Sequence, residues 1–368
     1  MNKYFLITTP IIETWDKNQS TLMLGNWCKI FKEKMSWQKL KDNKVLQYHW
    51  NDQSKLQSDY NYLNEFADKI LDELVIKLNK YHNKNLSKNF WKILLGNWLY
   101  TFIHISYDRW FTISKAFDEY QICETKVIDI DKSKFVPQSV ENFIDLIHQD
   151  KWNHFFFSEI IKFKDYKELK IKNIKDEMAN DNYIRFKFYE NNFLIQKFNK
   201  AYQILRVLYS KIFIEKFFCI DTYLGKKNEF LLNMKLKSFP LNFIPKVKLF
   251  IQPNFENRKK INLDFVTNNE YEKFIKKIIV SLFPCTFIEN FKYIYDKVET
   301  FGWPKKPKVI FTSHAINTKT ISSFYIAKKK ELGSTLIHGQ HGGAYGQCLF
   351  HWYEDFEKSI SDVYFTWG

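Results

Sequence analysis

The stretch "PKVIFTSHAINTKTISSFYIAKKKELGSTLIHGQHGGAYG", residues 307–346, decides the fold class. Residues 307–315 are apolar and β-branched and turn polar at Ser313 and His314, which predicts a strand with a polar carboxyl end. Residues 318–333 read as a helix closed by Gly333, a residue suited to the left-handed turn after a helix. "STLIH", 334–338, is a second short strand. Strand, crossover helix and strand in about 30 residues make a βαβ unit, so the strands should run parallel. The expected fold is therefore α/β, a Rossmann-like parallel sheet with helical elaboration. In open parallel sheets, ligands bind beyond the carboxyl ends of the strands. Ser313, His314, His338 and His341 should then lie close together.

The segment after the second strand is chemically distinct. The chain has 10 glycines, and Gly333, Gly339, Gly342, Gly343 and Gly346 crowd into its last part around His338 and His341. Glycine permits sharp turns and lets a ligand approach backbone N–H groups. A histidine in such a turn is a candidate general base, because its pKa lies near neutrality. That reading makes His341 catalytic, with Gly339, Gly342 and Gly343 shaping the pocket and Gln340 orienting the base or donating to an oxyanion. Two alternatives stay open: a structural turn with satisfied core histidines, and a metal held by His338, His341 and a further histidine such as His314 or His351. An HxxH pair alone lacks the third and fourth ligands that zinc sites show. No GK[ST] phosphate loop and no GxGxxG dinucleotide fingerprint is present.

Working back along the chain, residues 3–9 predict a buried strand ending at Pro10. A helix is expected from Leu22, capped by Ser20 or Thr21. Over 58–82 the residues Leu63, Phe66, Ile70, Leu74, Leu78 and Tyr81 form one apolar stripe, which predicts a helix. A second long helix is expected over 87–120 with Ser87 as N-cap. Its most apolar part, 90–107, is interrupted by Lys92, Asn97 and His104, so it reads as a buried core helix. Residues 125–130 read as a strand, 139–165 and 190–212 as mostly helical, and 216–224 as strand then turn. Residues 226–260 carry nine Lys or Arg against two Glu and three prolines, which suggests a long basic loop or hairpin. The tetrapeptide "LGNW" occurs twice, at 24–27 and 95–98.

Several polar residues outside the glycine-rich segment are candidates. Glu13 follows the first strand and could polarise a base or contact a sugar hydroxyl. Trp15 could offer a stacking face or anchor packing. Asp108 and Arg109 form a local ion pair or meet an anionic substrate. Asp221 and Tyr223 fall at a strand end.

The formal charge of +15 favours acidic partners such as phosphates, nucleotides or an anionic membrane face. No RNA- or DNA-binding signature accompanies it, so nucleic acid is not expected. The 5 cysteines are scattered without a CxxC, as in a reducing cytosol. The start, "MNKYFLITTP", lacks the features of a signal peptide.

Near the N-terminus, Thr9, Glu13, Thr14 and Trp15 and then Leu24, Gly25, Trp27 and Cys28 stand in a Thr-x-x-x-Glu-Thr-Trp and a Leu-Gly-x-Trp-Cys pattern. With 94–110 and 312–346, this resembles a family of transferases encoded in bacterial surface-polysaccharide regions. The likeness is densest at the two ends of the chain. More distantly it is similar to the teichoic-acid glycerophosphotransferases and capsule Kdo transferases, whose two Rossmann-like domains face a cleft in the GT-B arrangement. The glycerophosphotransferases place a histidine base in a Trp-His-Gly-Thr segment. His341 with Gly342 and Gly343 is the matching position here, although the sequence reads Gln-His-Gly-Gly.

The resemblance implies transfer of a sugar or related group from a nucleotide-activated donor to a glycan or lipid-linked acceptor. It implies a cytoplasmic enzyme, peripheral at the inner membrane face, with no metal and no tightly bound cofactor. His341 and Glu13 would be catalytic. His338, Gly339, Gln340, Gly342, Gly343, Ser313, His314 and Trp15 would contact substrate. It also implies that 1–360 form an N-terminal, acceptor-side Rossmann-like domain, with a helical insertion at 58–120 and the basic loop at 226–260. Residues 361–368 would begin a C-terminal donor domain that is otherwise missing. The alternative is a non-enzymatic binding or scaffold protein of a polysaccharide assembly complex, and a further one is a metal-dependent hydrolase.

Overall fold

Tyr4, Phe5, Leu6 and Ile7 are all buried, the pattern of a parallel strand covered on both faces. The structure is a computed structural model that describes residues 3–176, 193–245, 247, 249–317 and 319–367. Strands β1 (Tyr4–Ile7), β2 (Thr21–Met23), β3 (Lys44–Val45), β4 (Ile122–Asp129) and β5 (Lys170–Lys175) form one parallel sheet in the order β3-β2-β1-β4-β5. Strands β6 (Phe217–Cys219), β7 (Val309–Thr312), β8 (Thr335–Gly339) and β9 (Val363–Phe365) form a second parallel sheet in that order. The expected α/β class and the βαβ unit at 307–338 are both present. The division anticipated at residue 360 falls inside the second sheet, because β9 pairs with β8.

Helices α1 (Lys34–Trp37), α2 (Gln53–His82) and α3 (Lys88–Glu119) join the halves of the first sheet, and α4 (Val140–Ile147) and α5 (Asp150–Lys164) connect β4 to β5. Then come α6 (Phe193–Ile212), α7 (Lys226–Lys235), α8 (Phe255–Arg258), α9 (Glu270–Ile278), α10 (Phe291–Lys297), α11 (Thr320–Glu331) and α12 (Trp352–Ile360). The apolar stripe of α2 is buried at Leu63, Phe66, Ile70, Leu74 and Leu78. Asp52 caps the helix by accepting from the Ser54 and Lys55 N–H groups. Ser87 caps α3 as expected, accepting from Phe90 N at 3.0 Å. α3 is apolar nearly all round and packs against α2, α5, α11 and α12, so it links the helices of both sheets. Trp91 and Trp98 on it are fully buried. Trimming either to Ala should cost about 3–5 kcal/mol. No helix among the described residues is long and apolar enough to cross a membrane.

One expectation fails and another holds only in part. The helix from Leu22 is instead strand β2, because Thr21, Leu22 and Met23 pair with β1 and are completely buried. The basic stretch is a loop only in its middle: it opens with helix α7 and reaches α8, and Arg258 within it is buried, holding Glu289 and the carbonyls of Val280, Ser281 and Phe283. The two copies of "LGNW" also differ, one lying at the end of β2 and the other inside α3. The buried Cys28, Cys219 and Cys285 thiols are pushed up to about 12 by burial, so they behave as small apolar groups.

Candidate active site

The carboxyl ends of β6, β7 and β8 converge. Ser313 N and His314 N both donate to the Asp221 carbonyl, at 3.1 and 3.2 Å, and Ser313 Oγ donates to the Thr222 carbonyl at 3.0 Å. Asp221 and Tyr223 adopt left-handed backbone at φ 50° and 59°, unusual for residues with a Cβ. Gly339 ends β8 where a Cβ would lie 2.6 Å from Ser313 Oγ, so only glycine lets the two strand ends approach this closely.

His338 is fully buried on β8 and its Nε2–H donates to the Ser313 carbonyl at 2.9 Å. Burial pushes its pKa down to about 4. His341 is 12% exposed and its ring lies 4.9 Å from His314 and 5.4 Å from Tyr223. Burial, with the neighbouring His314, pushes its pKa down to about 4, so it is neutral at physiological pH. Its Nδ1 lies 3.6 Å from Glu357 Oε1, and its Nε2 lies 3.5 Å from the Tyr345 hydroxyl. His314 in turn approaches Asp221, with Nδ1 3.5 Å from Oδ2.

Glu357, on α12, is the buried centre of this group. Tyr345 OH donates to its Oε1 at 2.8 Å, Tyr364 OH to its Oε2 at 3.2 Å, and the Asn317 side-chain amide to Oε1. Burial pushes its pKa up to about 7 despite those donors. No lysine or arginine pairs with it among the described residues. His338, His341 and Glu357 each offer one ligand atom, all within 4.8 Å of one another, and could therefore hold a metal ion. The His338 nitrogen nearest this group is Nε2, 3.5 Å from Glu357 Oε2, and it already donates to the Ser313 carbonyl, so ligation through it would have to break that bond.

A sequence model of the LIC12162 family transferases matches residues 4–368. The chain belongs to the LIC12162 family transferases. No curated protein and no solved structure matches it.

In this family member the residues expected at the site divide between two places. Ser313, His314, His338, Gly339 and His341 come together as described. Gln340 is adjacent but occupied, its Nε2 donating to the Tyr345 carbonyl at 3.2 Å and its Oε1 accepting from Trp367 N at 3.3 Å. Gly342 faces the Tyr345 ring, where a Cβ would come within 2.8 Å, whereas Gly343 has open space. Glu13 and Trp15 belong to the first sheet instead. Glu13 is exposed and lines a cavity of ≈ 420 Å³ with Ile11, Ile128 and Lys151. Trp15 is 3% exposed, packs with Phe5, Ile7 and Met23, and donates from Nε1 to the Thr9 carbonyl, so it offers no face to a ligand. Asp108 and Arg109 do pair.

Glu357, Asn317, Tyr345 and Tyr364 escaped the sequence reading. One signal for Glu357 was available: it continues the spacing of Tyr353 and Ile360 on α12, placing a carboxylate in an apolar stripe.

Proposed function

We propose that this transferase moves a sugar or related group from a nucleotide-activated donor to a hydroxyl of a bacterial surface glycan, with His341 as general base. The observation that carries the reading is the position of neutral, partly exposed His341 at the carboxyl edge of a parallel sheet, its unpartnered Nδ1 3.6 Å from buried Glu357. The acceptor oxygen attacks the donor's sugar carbon, the bond to the nucleotide phosphate breaks, and the hydroxyl proton passes to His341 Nε2, where the acceptor hydroxyl replaces the long 3.5 Å contact with the Tyr345 hydroxyl. The carboxylate then steadies the imidazolium that forms. His314, 26% exposed and beside His341, would meet substrate in this reading. Two separate parallel sheets are compatible with a GT-B arrangement, in which helix N-termini and basic side chains hold the donor phosphates. Location at the cytoplasmic face of the membrane, with peripheral contact to anionic lipid, remains part of this reading and draws on the charge of +15.

Incubating the full-length protein with a panel of nucleotide-activated sugars and surface-glycan acceptors tests the proposal. Transfer detected by mass spectrometry is expected. A scaffold protein would leave every donor intact. A second reading, a metal-dependent hydrolase, is favoured by the clustering of His338, His341 and Glu357. It requires a stoichiometric transition metal in the purified protein and donor-independent hydrolysis.

A further inference from the structure

The first sheet holds a crevice of its own. Its strand order reverses between β1 and β4, since β2 and β3 extend to one side and β5 to the other. Parallel sheets take ligands at such a reversal, beyond the strand ends. The junction is fastened by His154 of α5: Ile128 N–H donates to its Nε2 at 3.1 Å, leaving Nδ1–H for the Thr8 hydroxyl at 3.1 Å.

A cavity of ≈ 240 Å³ opens beside this junction, with Thr9, Trp27, Arg109, His148, Asp150 and Phe157 in its wall. Thr9 is 1% exposed, and its hydroxyl has no hydrogen-bond partner among the described residues. A buried hydroxyl left unpaired costs stability, so a ligand that completes it is favoured. Arg109 is held rigidly: Nε and Nη2 donate to Asn153 Oδ1 at 3.1 and 3.0 Å, and Nη1 to Asp108, itself held by His49 at 3.0 Å. Part of its N–H fork is left over for a ligand. Trp27 is 40% exposed and anchored by donation from Nε1 to the Thr8 carbonyl at 3.1 Å. Its ring lies against Gly25, where a Cβ would be 2.1 Å away.

We infer that this crevice binds a single sugar ring. The wall combines a donor (Arg109), an acceptor (Asp150), groups that can do either (the Thr9 hydroxyl and His148), and an indole. That mixture matches a ring bearing several hydroxyls on an apolar C–H face. A free phosphate fits less well, because the Asp150 carboxylate would oppose it. The inference rests on the transferase reading only in making this ring part of the acceptor; binding itself needs no turnover.

The test is ligand-observed saturation-transfer NMR on the full chain with glucose, galactose, mannose, N-acetylglucosamine and glucuronate at millimolar concentration. At least one sugar should give a signal that weakens about tenfold in affinity in Thr9→Val and in Trp27→Ala. Thr9→Val should keep or raise the unfolding temperature, since it removes an unpaired buried hydroxyl. His341→Ala should bind the sugar unchanged, so loss of transfer there with binding kept separates this inference from the base assignment. No signal from any sugar, signals that survive both substitutions, or inorganic phosphate competing as strongly as sugar would overturn it.

Discussion

Glu357 is the buried centre of the histidine cluster at the edge of the second sheet. A fully buried carboxylate with three uncharged donors and two neutral imidazoles nearby is costly to ionise, which is why its pKa is pushed up to about 7. If its charge steadies His341 during proton transfer, the rate should climb as pH rises through about 7. Glu357→Gln should flatten that climb and lower the plateau by about 10²-fold. A pH–rate profile of the two proteins checks it, and an unchanged inflection in the variant would remove Glu357 from the mechanism. The position of His341 just beyond a strand end was legible because glycine surrounds it. Glu357 was not, because its partners Asn317, Tyr345 and Tyr364 come from separate loops and strands that only the folded sheet assembles.

Among the elements, α3 shows what periodicity can and cannot say. Its length and cap were readable from local pattern, as was the stripe of α2. Strand β2 was not, since three residues carry no usable period and its pairing with β1 is a tertiary fact. Trp15 was misplaced for a related reason: the sequence puts it after a strand, while burial decides that it packs. The close approach of α3 to α12 was equally hidden. At Gly96 a Cβ would lie 2.1 Å from the Phe356 ring, next in sequence to Glu357. Gly96→Ala should therefore displace Phe356, cost about 1–3 kcal/mol and lower transfer activity as well. Paired unfolding and rate measurements check it; full stability with full activity would show that α12 adapts freely.

For the whole molecule, two parallel sheets share helices around α3, and histidines are buried throughout. His82, His104, His154, His338 and His341 are each pushed from 6.5 to about 4, chiefly by burial. The unfolded chain thus binds more protons between about 6.5 and 4, and stability should fall as pH drops through that window. Glu357 acts in the opposite sense between 4.5 and about 7, and burial raises Asp150 and Glu229 in the same direction, but they are three groups against five. Denaturant midpoints from pH 7 to pH 4 should decrease, and a flat series would contradict the burial of these rings. The parallel sheet was legible from one βαβ unit, whereas the split into two sheets depends on which strands find each other. In the proposed mechanism the edge of the second sheet performs the transfer through His341. The decisive measurement is the initial transfer rate of full-length His341→Ala beside wild type, with circular dichroism confirming an intact fold. A loss of about 10²–10⁴-fold is expected; a rate near wild type would remove His341 from the mechanism.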